Sequence, residues 1–424
     1  MIAGNSGVRG KAAIVGLGPV ALATARLLEK SGLEYSFLAR RSQCSEQRKQ
    51  LLESTGINFR ALSSKPELGN WNGNIRGQVR FFDDSTEDLE HAECLFLAVP
   101  HTAYQEVLYS LKKFRFETIV LLSPGLFSGE IVRSLAVGRS VVSLSNFWGA
   151  AKFQNDSVVL KAVKKKFYLG ASDLETAQHV SVPFQKAGLN PSPVLSCLEA
   201  EFRNITLYVH PVLSMAPLVL RAAFALNPTP KYLYKLYPEG PIERRRMKIY
   251  ALFAREVMAI GQSFGLNPFN LLAFLHRDNY RVPSCFLEED EVDRFPTLST
   301  EQQGDLLYAR YTGLLVDAHS DPDQDGRYFD FSAVPVTTID FEKASLPRLL
   351  TEDIYHLCLL RALSRRLHLT CPAIDRLYAD LHVVLSELST SARELLEGHM
   401  ESTNTKIERR VETLLAKAKE RTRA

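Results

Sequence analysis

Residues 11–28 read KAAIVGLGPVALATARLL. A short apolar run ends in Gly16 and Gly18, with Ala21 completing G-x-G-x-x-A, and a helical pattern follows at once. In a strand–turn–helix each small residue has a physical role. Gly16 permits the tight turn, Gly18 lets the backbone approach a pyrophosphate, and Ala21 lets the helix pack close to the strand. Pro19 suits the first helical position, where its missing N–H has no intrahelical partner. The N–H groups at the helix start, those of Val20 and Ala21 included, face an anion together with the helix dipole. The letters alone also fit a glycine turn in an α/β protein that binds no nucleotide. The strand before and the helix after favour a dinucleotide.

The same alternation continues outward. Apolar runs at 11–18, 35–40, 78–82, 94–100, 118–125 and 140–146 alternate with helical patterns. Strands apolar at nearly every position are covered on both faces, and strand–helix repetition builds a parallel, doubly wound sheet. Residues 62–77, rich in Gly, Asn, Ser and Pro, read as a surface loop. Residues 158–195 read as a last strand-and-helix addition. Beyond about residue 196 helical patterns dominate, at 198–209, 243–264, 301–318, 351–367 and 373–420. The expected fold class is therefore α/β: a Rossmann-type dinucleotide domain over 1–195 and a mostly helical substrate and catalytic domain over 196–424. A length of 424 residues suits two domains.

With 46% hydrophobic and 23% charged residues the composition is that of an ordinary soluble protein. A net charge of only +3 gives no footprint for nucleic acid. No apolar run reaches membrane-spanning length, and the N-terminus lacks a signal-peptide core. Six scattered cysteines without a CxxC pair suit a reducing cytoplasm and argue against a structural metal. Asp321, Asp323, Asp325 and Gly326 imitate a calcium loop, but its twelfth position is Ser332 instead of glutamate, so no metal is expected there.

The end of the second strand decides between coenzymes. An acid there would bind the ribose 2′-hydroxyl of NAD and repel a 2′-phosphate. The chain instead carries Arg40, Arg41 and Ser42. Two guanidinium forks and a hydroxyl suit the extra phosphate of NADPH. The loop after the fourth strand, AVPHTAYQEV, places Val99, Pro100 and Thr102 beside the same dinucleotide. His101 in that loop is either catalytic or a plain loop histidine.

Together GLGPVALATARLL, FLARRS, LFLAVPHTAY, SNFWGAAKF and LYVHPVLSMAPL resemble the opine dehydrogenase family, most of all its opine-metallophore branch of staphylopine, pseudopaline and yersinopine dehydrogenases. The resemblance spans most of the chain. It implies NADPH-dependent reductive condensation of an amine, an aminobutyrate-extended histidine, with an α-keto acid, pyruvate or 2-oxoglutarate. It also implies a homodimer and no metal bound to the enzyme.

Within that resemblance His210 takes a catalytic role, because loss of water from the condensed adduct needs a proton donor that titrates near neutrality. Pro211 follows it, which predicts a helix break that aims the ring into a cleft. By residues alone a satisfied core or loop histidine is the favoured reading, and the resemblance is what turns it toward catalysis. Asp156 is the candidate partner for His210. At the end of the sixth strand Asn146 is a candidate substrate or nicotinamide ligand. Phe147 and Trp148 form either an apolar wall at the reacting centre or packing at the domain joint. Substrate carboxylates need a cation, with Arg203, Arg221, Arg277 and Arg281 as candidates. A β-hydroxyacid or ketopantoate-type reductase and a non-catalytic NADPH-sensing regulator are the rival readings.

Overall fold

The computed structural model describes residues 11–61, 66–84, 92–112, 114–227, 229–279, 282, 284–316, 335–339 and 348–423. The acidic loop at 321–332 and Arg281 therefore lie outside the described residues. The chain divides into two compact units, residues 1–204 and 205–424.

The first unit holds two sheets. Its strands are β1 (Lys11–Val15), β2 (Tyr35–Ala39), β3 (Ile57–Ala61), β4 (Gly73–Ile75), β5 (Val79–Phe81), β6 (Ala92–Leu97), β7 (Thr118–Leu121), β8 (Ser140–Leu144), β9 (Gly149–Gln154), β10 (Ser157–Val163), β11 (Phe167–Gly170) and β12 (Pro191–Val194). The large sheet has the order β12-β11-β8-β7-β6-β1-β2-β5. From β8 to β5 every neighbouring pair is parallel, while β11 and β12 run the other way. The parallel part is the doubly wound order of a dinucleotide domain, with the switch point between β1 and β6.

Burial on both faces explains the continuous apolar strands. One face of the sheet packs Ala13, Val15, Leu95, Leu97, Ile119 and Leu121 against α3 (Tyr104–Ser110) and α4 (Ser128–Leu135). The opposite face packs Ile14, Phe37, Phe96 and Val120 with α1 (Pro19–Ser31) and α5 (Leu174–Lys186). Helix α2 (Gln43–Glu53) follows β2, and α6 (Cys197–Phe202) packs on β8 and β11. Glu201 of α6 accepts from the Gly129 N–H at 2.7 Å and the Ser143 hydroxyl at 2.8 Å, which ties that helix to the first unit. The unit boundary accordingly falls at Asn204, later than the 195 read from the sequence.

A second sheet, ordered β4-β3-β10-β9, was not legible in the sequence. Residues 62–77 are in part not a surface loop. The segment Pro66–Trp71 forms a 3-10 turn, β4 follows, and Trp71 and Ile75 are buried. Arg26 of α1 holds this segment by donating to the carbonyls of Trp71 at 3.0 Å and Asn72 at 2.6 Å. Loop-forming residue types supply the turns here, while two apolar side chains supply the anchorage.

The second unit is helical: α7 (Ile205–Ser214), α8 (Pro217–Ala223), α9 (Arg244–Gln262), the short α10 (Leu271–Ala273), α11 (Glu289–Arg294), α12 (Thr300–Val316), α13 (Arg348–Arg366), α14 (Pro372–Ser386) and α15 (Thr390–Arg423). Helix α9 packs against α7, α12, α13 and α14. The charged C-terminal stretch buries Leu396, Met400, Ile407 and Val411, and α15 packs on α13. Among the described residues no single helix is long and apolar enough to cross a membrane.

Candidate functional site

Three loops meet at the carboxyl ends of the parallel strands of the first unit. Gly16 has φ +108°, and its N–H donates to the Leu38 carbonyl at 2.8 Å. A Cβ there would stand 2.9 Å from the Ala98 carbonyl and 3.4 Å from Val99, so only glycine fits beside the β6 loop. Gly18 caps α1 without a side chain, and a Cβ on it would meet nothing within 4 Å. That open space in front of the helix start is what a pyrophosphate requires. Pro19 occupies the first turn, Val20 is half-buried and Ala21 is fully buried against the strand layer. No acid stands in the first turn of α1. The cradle therefore fits a dinucleotide by its own geometry. Val99 brackets Gly16, whereas Pro100 and Thr102 are exposed at the start of the next turn. His101 lies over Gly125, where a Cβ would come within 2.7 Å of its ring.

At the end of β2 the two arginines are exposed and paired. Arg40 binds Glu106 of α3. Arg41 lies over the Phe81 ring at 4.2 Å and reaches Asp84 at 2.8 Å, Asp83 at 3.1 Å and Glu46 at 3.5 Å. Ser42 caps α2, accepting from the Ser45 N–H at 3.2 Å. Exposed ion pairs of this kind contribute only about 0–1 kcal/mol each, so a phosphate can displace them. The sequence pattern does not reveal these carboxylates, because none is adjacent to the arginines in the chain.

The remaining first-unit candidates divide. Asn146 donates its amide to the Asn204 side chain at 3.1 Å. Trp148 has no exposed surface and stacks on Trp71 at 4.8 Å, and Phe147 lies in the same core. Packing, the second of the two readings, describes this geometry, and it takes place within the first unit. Asp156 sits exposed in the turn between β9 and β10.

In the second unit His210 lies on α7 and Asp353 on α13, with Nδ1 3.7 Å from Oδ1. Asp353, not Asp156, is thus the carboxylate beside the histidine. Its side chain is only 4% exposed, and its Oδ2 has no hydrogen-bond partner. His210 keeps 24% of its side chain exposed, and the Tyr234 ring stands 6.4 Å away. The expected helix break does not occur, since α7 runs through Pro211 to Ser214. Pro211 forfeits one backbone bond, and burial of Leu207, Tyr208, Val212 and Leu213 keeps the helix intact. The Ser214 hydroxyl donates back to the His210 carbonyl at 2.6 Å.

The three described arginine candidates are each engaged. Arg203 pairs with Glu199 at 3.3 Å, Arg221 binds Glu387 through two nitrogens at 2.6 and 2.8 Å, and Arg277 binds Glu289 and Asp293. All six cysteines are free. Among the described residues no group of three or more His, Cys, Asp or Glu side chains is gathered for a metal ion.

Comparison with known proteins places this geometry in context. Residues 10–410 match the family model described as staphylopine dehydrogenase. Staphylopine synthase of Staphylococcus aureus is 31% identical, over 92% of this chain and 96% of its own. Pseudopaline synthase of Pseudomonas aeruginosa is 33% identical, over 72% of this chain and 74% of its own. Among solved structures, yersinopine dehydrogenase with NADP+ bound superposes with a TM-score of 0.79 at 26% identity, covering 95% of this chain and 99% of that one.

Proposed function

The chain belongs to the staphylopine dehydrogenase family, and from that premise we propose that it is an NADPH-dependent opine-metallophore dehydrogenase. It condenses an aminobutyrate-extended histidine with pyruvate or 2-oxoglutarate and reduces the resulting imine. The observation that carries the catalytic part is the pairing of His210 with the nearly buried Asp353.

NADPH, when bound, supplies the hydride. The N–H groups at the start of α1 and the open face of Gly18 hold its pyrophosphate, and Arg40 and Arg41 turn from their carboxylates to its 2′-phosphate. Once the amine has added to the keto carbon, the adduct must lose its hydroxyl as water. His210 gives the departing oxygen a proton. Asp353 orients the ring from the Nδ1 side and offsets the charge of the protonated imidazole, which leaves Nε2 to face the substrate.

The test is an absorbance assay with product mass as a second readout. Protein and NADPH are mixed with amine alone, keto acid alone, or both. Oxidation that needs both supports this reading, whereas oxidation with keto acid alone supports a ketopantoate-type reductase. Binding without turnover under every combination supports a sensor. His210→Ala should lower kcat by roughly 10²–10⁴ and leave NADPH affinity unchanged. Asp353→Asn should lower kcat in the same direction. Wild-type turnover in His210→Ala removes that residue from the mechanism.

A further inference from the structure

A cavity of about 360 Å³ opens in the helical unit at the first turn of α9. Neither His210 nor Asp353 lines it. Its charged lining is four arginines, Arg221, Arg245, Arg246 and Arg376, against two acids, Glu243 and Asp380. Such a surplus of cations is unusual at this place. The first turn of α9 is Arg244-Arg245-Arg246, with no acid in it and no side-chain cap from Glu243. Cations at the positive end of a 19-residue helix oppose its dipole, and the first N–H groups lack intrahelical acceptors.

Arg246 adds an independent sign. Its side chain is only 8% exposed, its Nη2 reaches Asp380 at 3.3 Å, and its Nη1 has no hydrogen-bond partner. A buried guanidinium nitrogen left unpaired is costly unless something else binds there. Burial lowers the pKa of Arg246 from its ordinary value, against the opposing pull of Asp380. Asp380 is already committed, since its other oxygen accepts from Arg376 at 2.9 Å. Arg221 is committed to Glu387. Arg245, by contrast, is exposed and makes no hydrogen bond or ion pair among the described residues.

We propose that this cavity is an oxyanion-binding site for a small phosphate or carboxylate, separate from the proton-transfer pair. An anion placed there meets the uncapped helix start, the free fork of Arg245 and the half-satisfied Arg246. Its presence would reverse the local charge conflict that the sequence RRR creates. The volume lies at the low end of small-molecule pockets, which suits a small acid and excludes a dinucleotide. The site does not depend on the reaction proposed above, because turnover does not enter its test.

The test is calorimetric titration with inorganic phosphate and, separately, with succinate, against chloride at equal ionic strength. NADP+ is kept at saturation so that phosphate sites of the coenzyme are filled. At least one of the two anions should bind saturably, and which one identifies the phosphate or the carboxylate source. Arg245→Ser or Arg376→Gln, both at exposed positions, should weaken that binding about tenfold or more. Without ligand, Arg245→Ser should melt no lower than the wild type, because it removes a cation from the wrong end of a helix. The inference is overturned if neither anion binds beyond chloride, or if both variants bind as the wild type does.

Discussion

Replacing Arg40 and Arg41 together by serine should separate the two nicotinamide coenzymes. Each arginine offers charge-assisted bonds worth about 1.5–3 kcal/mol to a phosphate. Each must first leave a surface carboxylate, Glu106 for Arg40 and the Asp83–Asp84 pair for Arg41, at a cost of about 0–1 kcal/mol. The balance is about 1–2 kcal/mol per arginine, or roughly 30- to 1000-fold in NADPH affinity for the pair. NADH lacks the phosphate and should change by less than about threefold. Fluorescence titration of both coenzymes at fixed, moderate salt measures this directly, and higher salt should shrink the difference. The reverse perturbation sharpens the test. Asp83→Asn with Asp84→Asn frees Arg41 and removes two negative charges near the phosphate, so NADPH should bind more tightly. Equal weakening of both coenzymes by the arginine substitutions, or weaker NADPH binding in the aspartate variant, would refute the reasoning.

Trp148→Ala should cost about 3–5 kcal/mol of stability, because the indole has no exposed surface and stacks on Trp71; urea unfolding measures it, and a small loss would return Trp148 to the substrate-wall reading. Asp173 caps α5, accepting from the Thr176 N–H at 2.7 Å, so Asp173→Ala should cost about 1 kcal/mol. That bond lowers the Asp173 pKa below its ordinary 3.8. Its contribution is therefore complete above that value and fades as pH falls through the lowered one. The stability gap between wild type and variant should stay constant down to about pH 5 and narrow only in stronger acid, and a gap that closes near neutrality would contradict the assignment.

Much of the first unit was legible because its physics is local. Six of the eight strands of the large sheet announce themselves as short apolar runs, and Gly16, Gly18, Pro19 and Ala21 describe a turn within a single stretch of chain. The small sheet was hidden because β3 pairs in parallel with β10, far along the chain, and β9, the hairpin partner of β10, buries none of its residues fully. The continuous helical patterns at 198–209 and 373–420 each cover two helices, the breaks falling at Arg203–Asn204 and Glu387–Ser389. No Gly or Pro marks either break, so the periodicity simply runs through. Pro211 misled in the opposite direction, since a residue that disfavours helix sits inside one that packing maintains.

The site shows the same division between local and non-local chemistry. The absence of an acid at 39–42 is true of the chain, yet not of the space around it. β5 pairs in parallel with β2, so that Ala39 stands beside Phe81, and the residues after Phe81 arrive next to those after Ala39. Asp83 and Asp84 are delivered to Arg41 by that register. Along the sequence two arginines stand unopposed, while the sheet makes them a pair already held by acids. Arg41 is held over Phe81 by those ion pairs, which must open before its guanidinium can meet a phosphate. Asp353 entered by the same route, brought to His210 by the packing of α13 on α7 and by nothing the spacing of residues encodes. What the linear pattern identifies, in both units, is the candidate residue; what it leaves out is the carboxylate that the fold brings beside it.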